Sequence, residues 1–512
     1  MRMEEIGGTP VVDNSTPLLP IGLSSSVSSN SANSANNSTR SPSKSRKMTT
    51  SGGAMVATTI DELLQITTAY RPYPLFIICT MSFLWSLCAL SALSPAFLAP
   101  AEPCSSPQNC TFYTIQDEFN LTVSFVVEPA ELVSSVYFLG NLIVGQFFAV
   151  IADRIGRRPV VICSLLLTGI AGCLGAFVHS FPLLLVARFV QGSCYTSLTT
   201  VNYVLSGESI PNRSQSLTSI FFGVSWVLGY CFLAPMSVWF PTWRRLQFAT
   251  AFPNVLVALF FMITLPESVA YSHEKNNRRA VEKWIHRNEQ LSCRKIEYNL
   301  DMIMEEKEKK RGEEGEGEKQ EETIYRLLKR ILSNRSITRL MFVETALWIM
   351  TFMTYCALSL TSTSVGNSHP LVSFLFSGIV ELPAYLFIPI CLKWTKRRPT
   401  RFLCHSIGAI ALLTMYFLPF DSPFHLPIWL LAKFCAACCY LFCFIFASEL
   451  FPTWCRSCCI GVCSTCCNFG AIIAPHIFLM DTWLPGSQFF ALAAINITCA
   501  ALTCLQPETK KS

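Results

Sequence analysis

A chain of 512 residues that is 51% hydrophobic and only 14% charged, with a mean hydropathy of +0.41, is too apolar for a soluble multidomain protein of this length. It reads as an integral membrane protein in a lipid bilayer. The basic residues behind its formal charge of +6 gather in short loops beside apolar runs, where they set topology, so nucleic acid is excluded as a partner.

The first residues, MRMEEIGGTP, have no basic stretch followed by an apolar core, so the first crossing helix is expected to serve as the targeting signal. Residues 1–70 are rich in Ser, Asn, Thr and Pro and are predicted to be a disordered cytoplasmic tail. Twelve apolar runs follow, each near the roughly 20 residues a crossing helix needs. Six lie at about 74–99, 131–151, 159–179, 182–205, 216–238 and 246–265, and six at about 338–360, 370–392, 402–419, 426–447, 458–479 and 486–505. The predicted organisation is a first six-helix bundle over 71–265 with an outer loop at 101–130, a charged cytoplasmic loop at 266–337, a second bundle over 338–505, and a short tail at 506–512.

An even number of spans puts both termini on one side. The positive-inside rule makes that side the cytoplasm, because Lys44, Arg46, Arg154 to Arg158, Arg213, Lys396 to Arg401, Arg456 and Lys510 all fall there. Arg244 and Arg245 are the exceptions. The outer loop carries acceptor sequons at Asn109 and Asn120, where glycosylation is expected. Cys104 and Cys110 share that oxidising loop, and a local disulfide is expected between them.

The span that begins at Glu131 ends in ADRIGRRPV, and the span at the same ordinal place in the second set ends in CLKWTKRRPTR. This internal repeat predicts an all-α membrane protein of two pseudo-symmetric six-helix bundles with a site at mid-depth between them. ADRIGRRPV resembles the loop between the second and third helices of major facilitator transporters. ARFVQG from Ala187, GESIPNRSQS from Gly207, TWRRLQFATAFP from Thr242, LPES from Leu265, TYCALSL from Thr354, IVELPAYLF from Ile379 and the run from Ala447 to Pro475 resemble, in order and spacing, the organic cation, carnitine and organic anion transporter family. The resemblance spans about Thr80 to Thr509 and implies a secondary carrier working by alternating access. It departs from the family pattern at Ala149, where Gly is usual, and in the second repeat loop, where Lys393 and Thr395 stand without the expected Asp and Gly. The second charge lock is therefore expected to be the weaker.

A charge inside a crossing helix costs roughly 2.5–3.5 kcal/mol on insertion scales, so each one needs a role. Glu381 is predicted near mid-membrane, where a carboxylate facing a water-filled cavity attracts an amine or quaternary ammonium; a packing acid paired to a polar neighbour is the alternative. By the resemblance, Asn468 stands where cation carriers have Asp and anion carriers Arg. Its neutral amide permits a zwitterion or a weakly held cation, with a helix–helix hydrogen bond as the alternative. Trp226, Tyr230 and Tyr355 are the aromatic candidates for holding an ammonium group. Lys433, near the outer end of its span, is expected to snorkel to the interface.

Arg188 is expected to find a carboxylate or carbonyl partner inside its bundle. With Asp153, Arg154, Arg157, Glu208, Arg213, Glu449 and Arg456 it is assigned to gating, Glu449 pairing with Arg456 in a cytoplasmic latch. The C-x-x-C spacings between Cys435 and Cys467 lie on crossing helices without a neighbouring histidine and are read as packing, so no metal site is assigned. No phosphate-binding loop or nucleophile elbow calls for a cofactor or hydrolytic chemistry. The reading that emerges is not an enzyme but a potential-driven, facilitative carrier of a small organic cation or zwitterion at the plasma membrane. An ion-coupled or exchanging carrier of organic anions or carnitine-like zwitterions is an alternative, and so is a non-transporting receptor or scaffold.

Overall fold

Long apolar runs leave the backbone no water to bond, and each of them closes its hydrogen bonds internally as a helix. In the computed structural model the first three crossing helices are α1 (Pro74–Leu98), α2 (Leu132–Ile155) and α3 (Arg157–Gly175). The next, α4, is divided into Phe181–Ser193, a π-helical turn at Ser197–Val201, and Asn202–Gly207. The first half ends with α5 (Thr218–Trp239) and α6 (Trp243–Thr264). The second half comprises α7 (Arg335–Thr363), α8 (Pro370–Leu392), α9 (Arg397–Phe417), α10 (His425–Leu450), α11 (Arg456–Asp481) and α12 (Ser487–Cys504). All twelve predicted spans are thus helical, with α9 beginning earlier than its apolar run because Arg397 and Arg398 form its first turn.

The structure describes residues 50–509 except 52–53, 56, 58, 68–71, 100–111, 120, 122–130, 211–214, 293–295, 297, 305–323, 366–368, 420 and 453. Asn109, Asn120, Cys104, Cys110 and Arg213 lie outside the described residues. The predicted tail is corrected at its end: Ile60–Thr67 is helical and buries Leu63 and Leu64. Ala57 forms a parallel bridge with Tyr298 of the central segment, which also holds the helices Val269–Glu274, Arg278–Ser292 and Ile324–Ser333.

Two glycines show why the first half has its shape. Gly156, between α2 and α3, adopts φ 110°, a conformation that L side chains rarely reach. The equivalent turn between α8 and α9 passes through Thr395 at φ −103° and Lys396 at φ −77°, ordinary extended backbone, which is why the second loop dispenses with glycine. At the crossing of α2 and α4, a Cβ on Gly192 would stand 1.8 Å from the Tyr137 carbonyl oxygen. Gly192→Val is therefore expected to cost about 3 kcal/mol through forced separation of the two helices. Thermal unfolding of the purified variant checks this, and a midpoint equal to that of the parent would show that the crossing yields.

The two halves are in contact on the face that carries the loop between α1 and α2, called here the loop face. There the Phe97 and Phe374 rings lie 4.7 Å apart, Thr363 Oγ1 donates to the Ala96 carbonyl at 3.3 Å, and Ser135 Oγ donates to the Ile472 carbonyl at 2.7 Å. The opposite face carries the arginine-rich turns and is called the basic face.

Candidate functional site

Between the halves, at mid-depth, lies a narrow cavity of about 110 Å³. Its walls come from α1, α2, α4 and α5 on one side and α7, α8, α10 and α11 on the other, while α3, α6, α9 and α12 stay outside it. The second-half wall is aromatic because the rings of Phe352, Tyr355 and Tyr440 stack, with Tyr440 5.0 Å from Phe352 and 5.4 Å from Tyr355. Trp85 and Trp226 face them from the first half. Trp226 Nε1 donates to Tyr355 Oη at 3.2 Å and so ties the two halves together at the cavity wall.

The polar wall is built from two helical irregularities. The π-helical turn Asn141–Gly145 in α2 presents Asn141, whose Oδ1 accepts from the Thr196 backbone at 3.2 Å and from Thr196 Oγ1 at 2.6 Å, next to the π-helical turn of α4. Such turns widen a helix locally and recur at functional sites. Asn141 Nδ2 donates to Asn468 Oδ1 at 2.9 Å, and Asn468 Nδ2 donates to its own helix at Ser464 and Thr465. Asn468 therefore serves both as cavity wall and as an amide bridge between the bundles.

Glu381, Tyr230 and Lys433 are placed otherwise than expected. Glu381 is 0% exposed and does not line the cavity. Its Oε1 lies 2.9 Å from Lys433 Nζ, and its Oε2 accepts from Tyr355 Oη at 3.1 Å. Lys433 does not snorkel: it too is 0% exposed, it donates to Ser359 Oγ, and its ammonium sits 3.9 Å from the Tyr355 ring centroid and 5.6 Å from that of Tyr230. A buried ammonium needs a counter-charge, and Glu381 on the neighbouring α8 supplies it. Tyr230 lies at the contact between halves, where its hydroxyl is 2.6 Å from Ser377 Oγ. Of the five predicted substrate contacts, Trp226, Tyr355 and Asn468 line the cavity, and Glu381 and Tyr230 stand behind it around Lys433.

Arg188 is fully buried and bonds the carbonyls of Val133 and Ser91, Ser94 Oγ and Gln191 Oε1, with its guanidinium over the Tyr137 ring. A second buried cluster was not anticipated. Arg401 Nη1 meets both carboxylate oxygens of Glu344, at 3.1 and 3.0 Å, while Trp348 Nε1 and Gln506 Nε2 also donate to Glu344.

On the basic face each half carries its own lock. Arg157 pairs with Glu208 at 3.0 Å and with the half-exposed Asp153 at 3.3 Å, and Glu267 accepts the backbone N–H groups of Arg157 and Arg158. Burial pushes the Glu208 carboxyl above its ordinary value, opposed by Arg157 and by the hydroxyl of Ser268. In the second half Arg397 pairs with Glu449 at 3.0 Å, and Glu508 accepts the backbone N–H groups of Arg397 and Arg398. The expected Glu449–Arg456 pair is thereby corrected: Glu449 is engaged by Arg397, and Arg456 Nε donates to the Phe451 carbonyl. The second lock has counterparts of Glu208 and Glu267 in Glu449 and Glu508, with Lys393 standing where Asp153 does, so losing the Asp removes one contact and not the device. Arg154 contributes its carbonyl, which accepts from Tyr271 Oη at 2.8 Å. On the loop face, hydrogen bonding to the Arg244 guanidinium holds the Glu118 carboxyl below its usual value, which accounts for one of the two basic residues on that side.

Comparison with known proteins agrees with this geometry. Residues 75–475 match the Major Facilitator Superfamily. A Caenorhabditis elegans protein described as a transporter, B0252.3, is 31% identical over 428 residues, 83% of this chain and 83% of that one. The organic cation transporter protein of Drosophila melanogaster is 27% identical over 401 residues, 77% of this chain and 71% of its own. Among solved structures, a partially occluded inward open conformation of the xylose transporter XylE from E. coli superposes with a TM-score of 0.63 at 16% identity, covering 86% of this chain and 99% of that one. The chain is a membrane transporter that belongs to the major facilitator superfamily.

Proposed function

We propose that this chain carries small organic cations or zwitterions across the plasma membrane by alternating access, with the basic face and both termini in the cytoplasm. The observation that carries this reading is the mid-depth cavity, walled by stacked aromatic rings and an amide bridge, at the interface of the two halves. Ring faces hold an ammonium group at roughly 0.5–2 kcal/mol each. The arginines gathered on one face support a cytoplasmic assignment for it, and the relative named as an organic cation transporter supports the substrate class. For a cation the membrane potential drives accumulation, worth roughly 2.3 kcal/mol per 100 mV, with no fuel required. Neutralising Glu381 tests the reading. Glu381→Gln is expected to lower uptake of a zwitterionic betaine, in cells expressing the variant at the normal surface level. Unchanged uptake would remove Glu381 from the transport site.

A further inference from the structure

The cage that a substrate ammonium would seek is already filled by one of the protein's own. Lys433 on α10 places its Nζ 2.9 Å from Glu381 on α8, against Ser359 on α7, and over the ring of Tyr355 at 3.9 Å. Tyr355 is the partition: its ring meets Lys433, its hydroxyl donates to Glu381, and it also lines the cavity. The pair is therefore one side chain away from the solute, fully buried, and of zero net charge.

That neutrality decides which solutes gain from the site. A free monovalent cation in the cavity is attracted by the Glu381 carboxylate and repelled by the Lys433 ammonium, and because the two charges lie only 2.9 Å apart the two effects oppose and largely offset each other. It would also add an unpaired charge to a buried site. A solute bearing both an ammonium and a carboxylate behaves differently. Its carboxylate replaces Glu381 at Lys433, its ammonium replaces Lys433 at Glu381 and the tyrosine faces, and every charge remains partnered.

We propose that Lys433 is the charge-selecting residue of this carrier: it occupies the carboxylate-and-aromatic cage, so a lone organic cation is disfavoured and a solute that brings its own carboxylate is admitted. The inference rests on the carrier reading above and assigns a determinant to it. Arg188 underlines the distinction. It lies within α4, but its contacts are carbonyls, amide oxygen and hydroxyl inside its own bundle, and the ring it covers, Tyr137, does not line the cavity as Tyr355 does.

The test is uptake of three solutes of similar size, a quaternary ammonium, a betaine and a carboxylate, by the full chain in voltage-clamped cells, corrected for surface level. The unsubstituted protein is expected to favour the betaine. Lys433→Met is expected to shift preference toward the quaternary ammonium by about tenfold or more, and Glu381→Gln to shift it toward the carboxylate by a similar factor. Because each single variant strands a buried charge and can fail to reach the surface, the neutral double variant Glu381→Gln/Lys433→Met provides the independent reading. It is expected to lose charge preference, taking up the three solutes within about twofold of one another. If the double variant keeps the parent preference, or if a surface-expressed Lys433→Met leaves it unchanged, the pair is only a packing device and the proposal is overturned. Absence of uptake of any of the three by the surface-expressed parent would instead overturn the carrier reading for these solute classes, and the inference with it.

Discussion

Arg401→Ala is expected to lower the stability of the second bundle by about 3–5 kcal/mol, a large part of the 5–15 kcal/mol that typically separates folded from unfolded protein. Arg401 and Glu344 are both fully buried, and the guanidinium touches both carboxylate oxygens. Truncating the arginine leaves Glu344 with donors from Trp348 and Gln506 but no counter-charge, in surroundings that water does not reach. The ion pair joins α7 to α9, and Gln506, just beyond α12, closes the cluster, so its loss loosens the packing of the half that presents Tyr355 and Asn468 to the cavity. Thermal unfolding of purified protein and the fraction reaching the cell surface are the measurements. Replacing both residues at once, Glu344→Leu/Arg401→Met, is expected to be far milder than the single change, because no charge is left stranded. A single variant that unfolds at the parent temperature would show that Glu344 is stabilised without Arg401.

The positions of the helices were legible because a run of about 20 apolar residues has few structural solutions in a bilayer. The repeat of ADRIGRRPV and CLKWTKRRPTR likewise announced the two halves, and the aromatic and amide positions Trp226, Tyr355 and Asn468 could be singled out as unusual within their spans. Rotation of each helix about its axis was not legible. A helix surrounded by lipid on one side and protein on the other is apolar all round, so the periodicity that marks the inner face of a soluble helix is faint. That is why the sequence does not reveal that Lys433 points at Glu381 and away from the interface, and why it leaves open whether Glu381 faces water or, as the structure has it, is paired with a neighbour. Glu344 escaped notice for a related reason: it lies within the first turns of its span, and Arg401 looked like one more basic residue of a cytoplasmic loop. Pairing within the locks was misread because Glu449 and Arg456 are neighbours in sequence while Arg397, its actual partner, arrives from another helix.

The other large expected effect concerns how the halves separate. Glu131, at the start of α2, and His476, on α11, form an ion pair of 2.8 Å across the interface on the loop face, and Ser135 Oγ lies 2.9 Å from the other ring nitrogen. Asp481, the other titratable side chain at that end of α11, is held by the backbone and side-chain nitrogens of Gln488. When the halves part on this face the pair is broken and both groups return to water, so the contact favours the closed state. His476→Gln is expected to weaken closure on the loop face by about 1.5 kcal/mol, the worth of one hydrogen bond to a charged group, while leaving the charge preference of the cavity as it was. Labelling from the loop-face side by a membrane-impermeant thiol reagent, at a cysteine introduced behind the pair, checks this, with more labelling expected for the variant. Equal labelling of parent and variant would show that closure on this face does not draw on this pair.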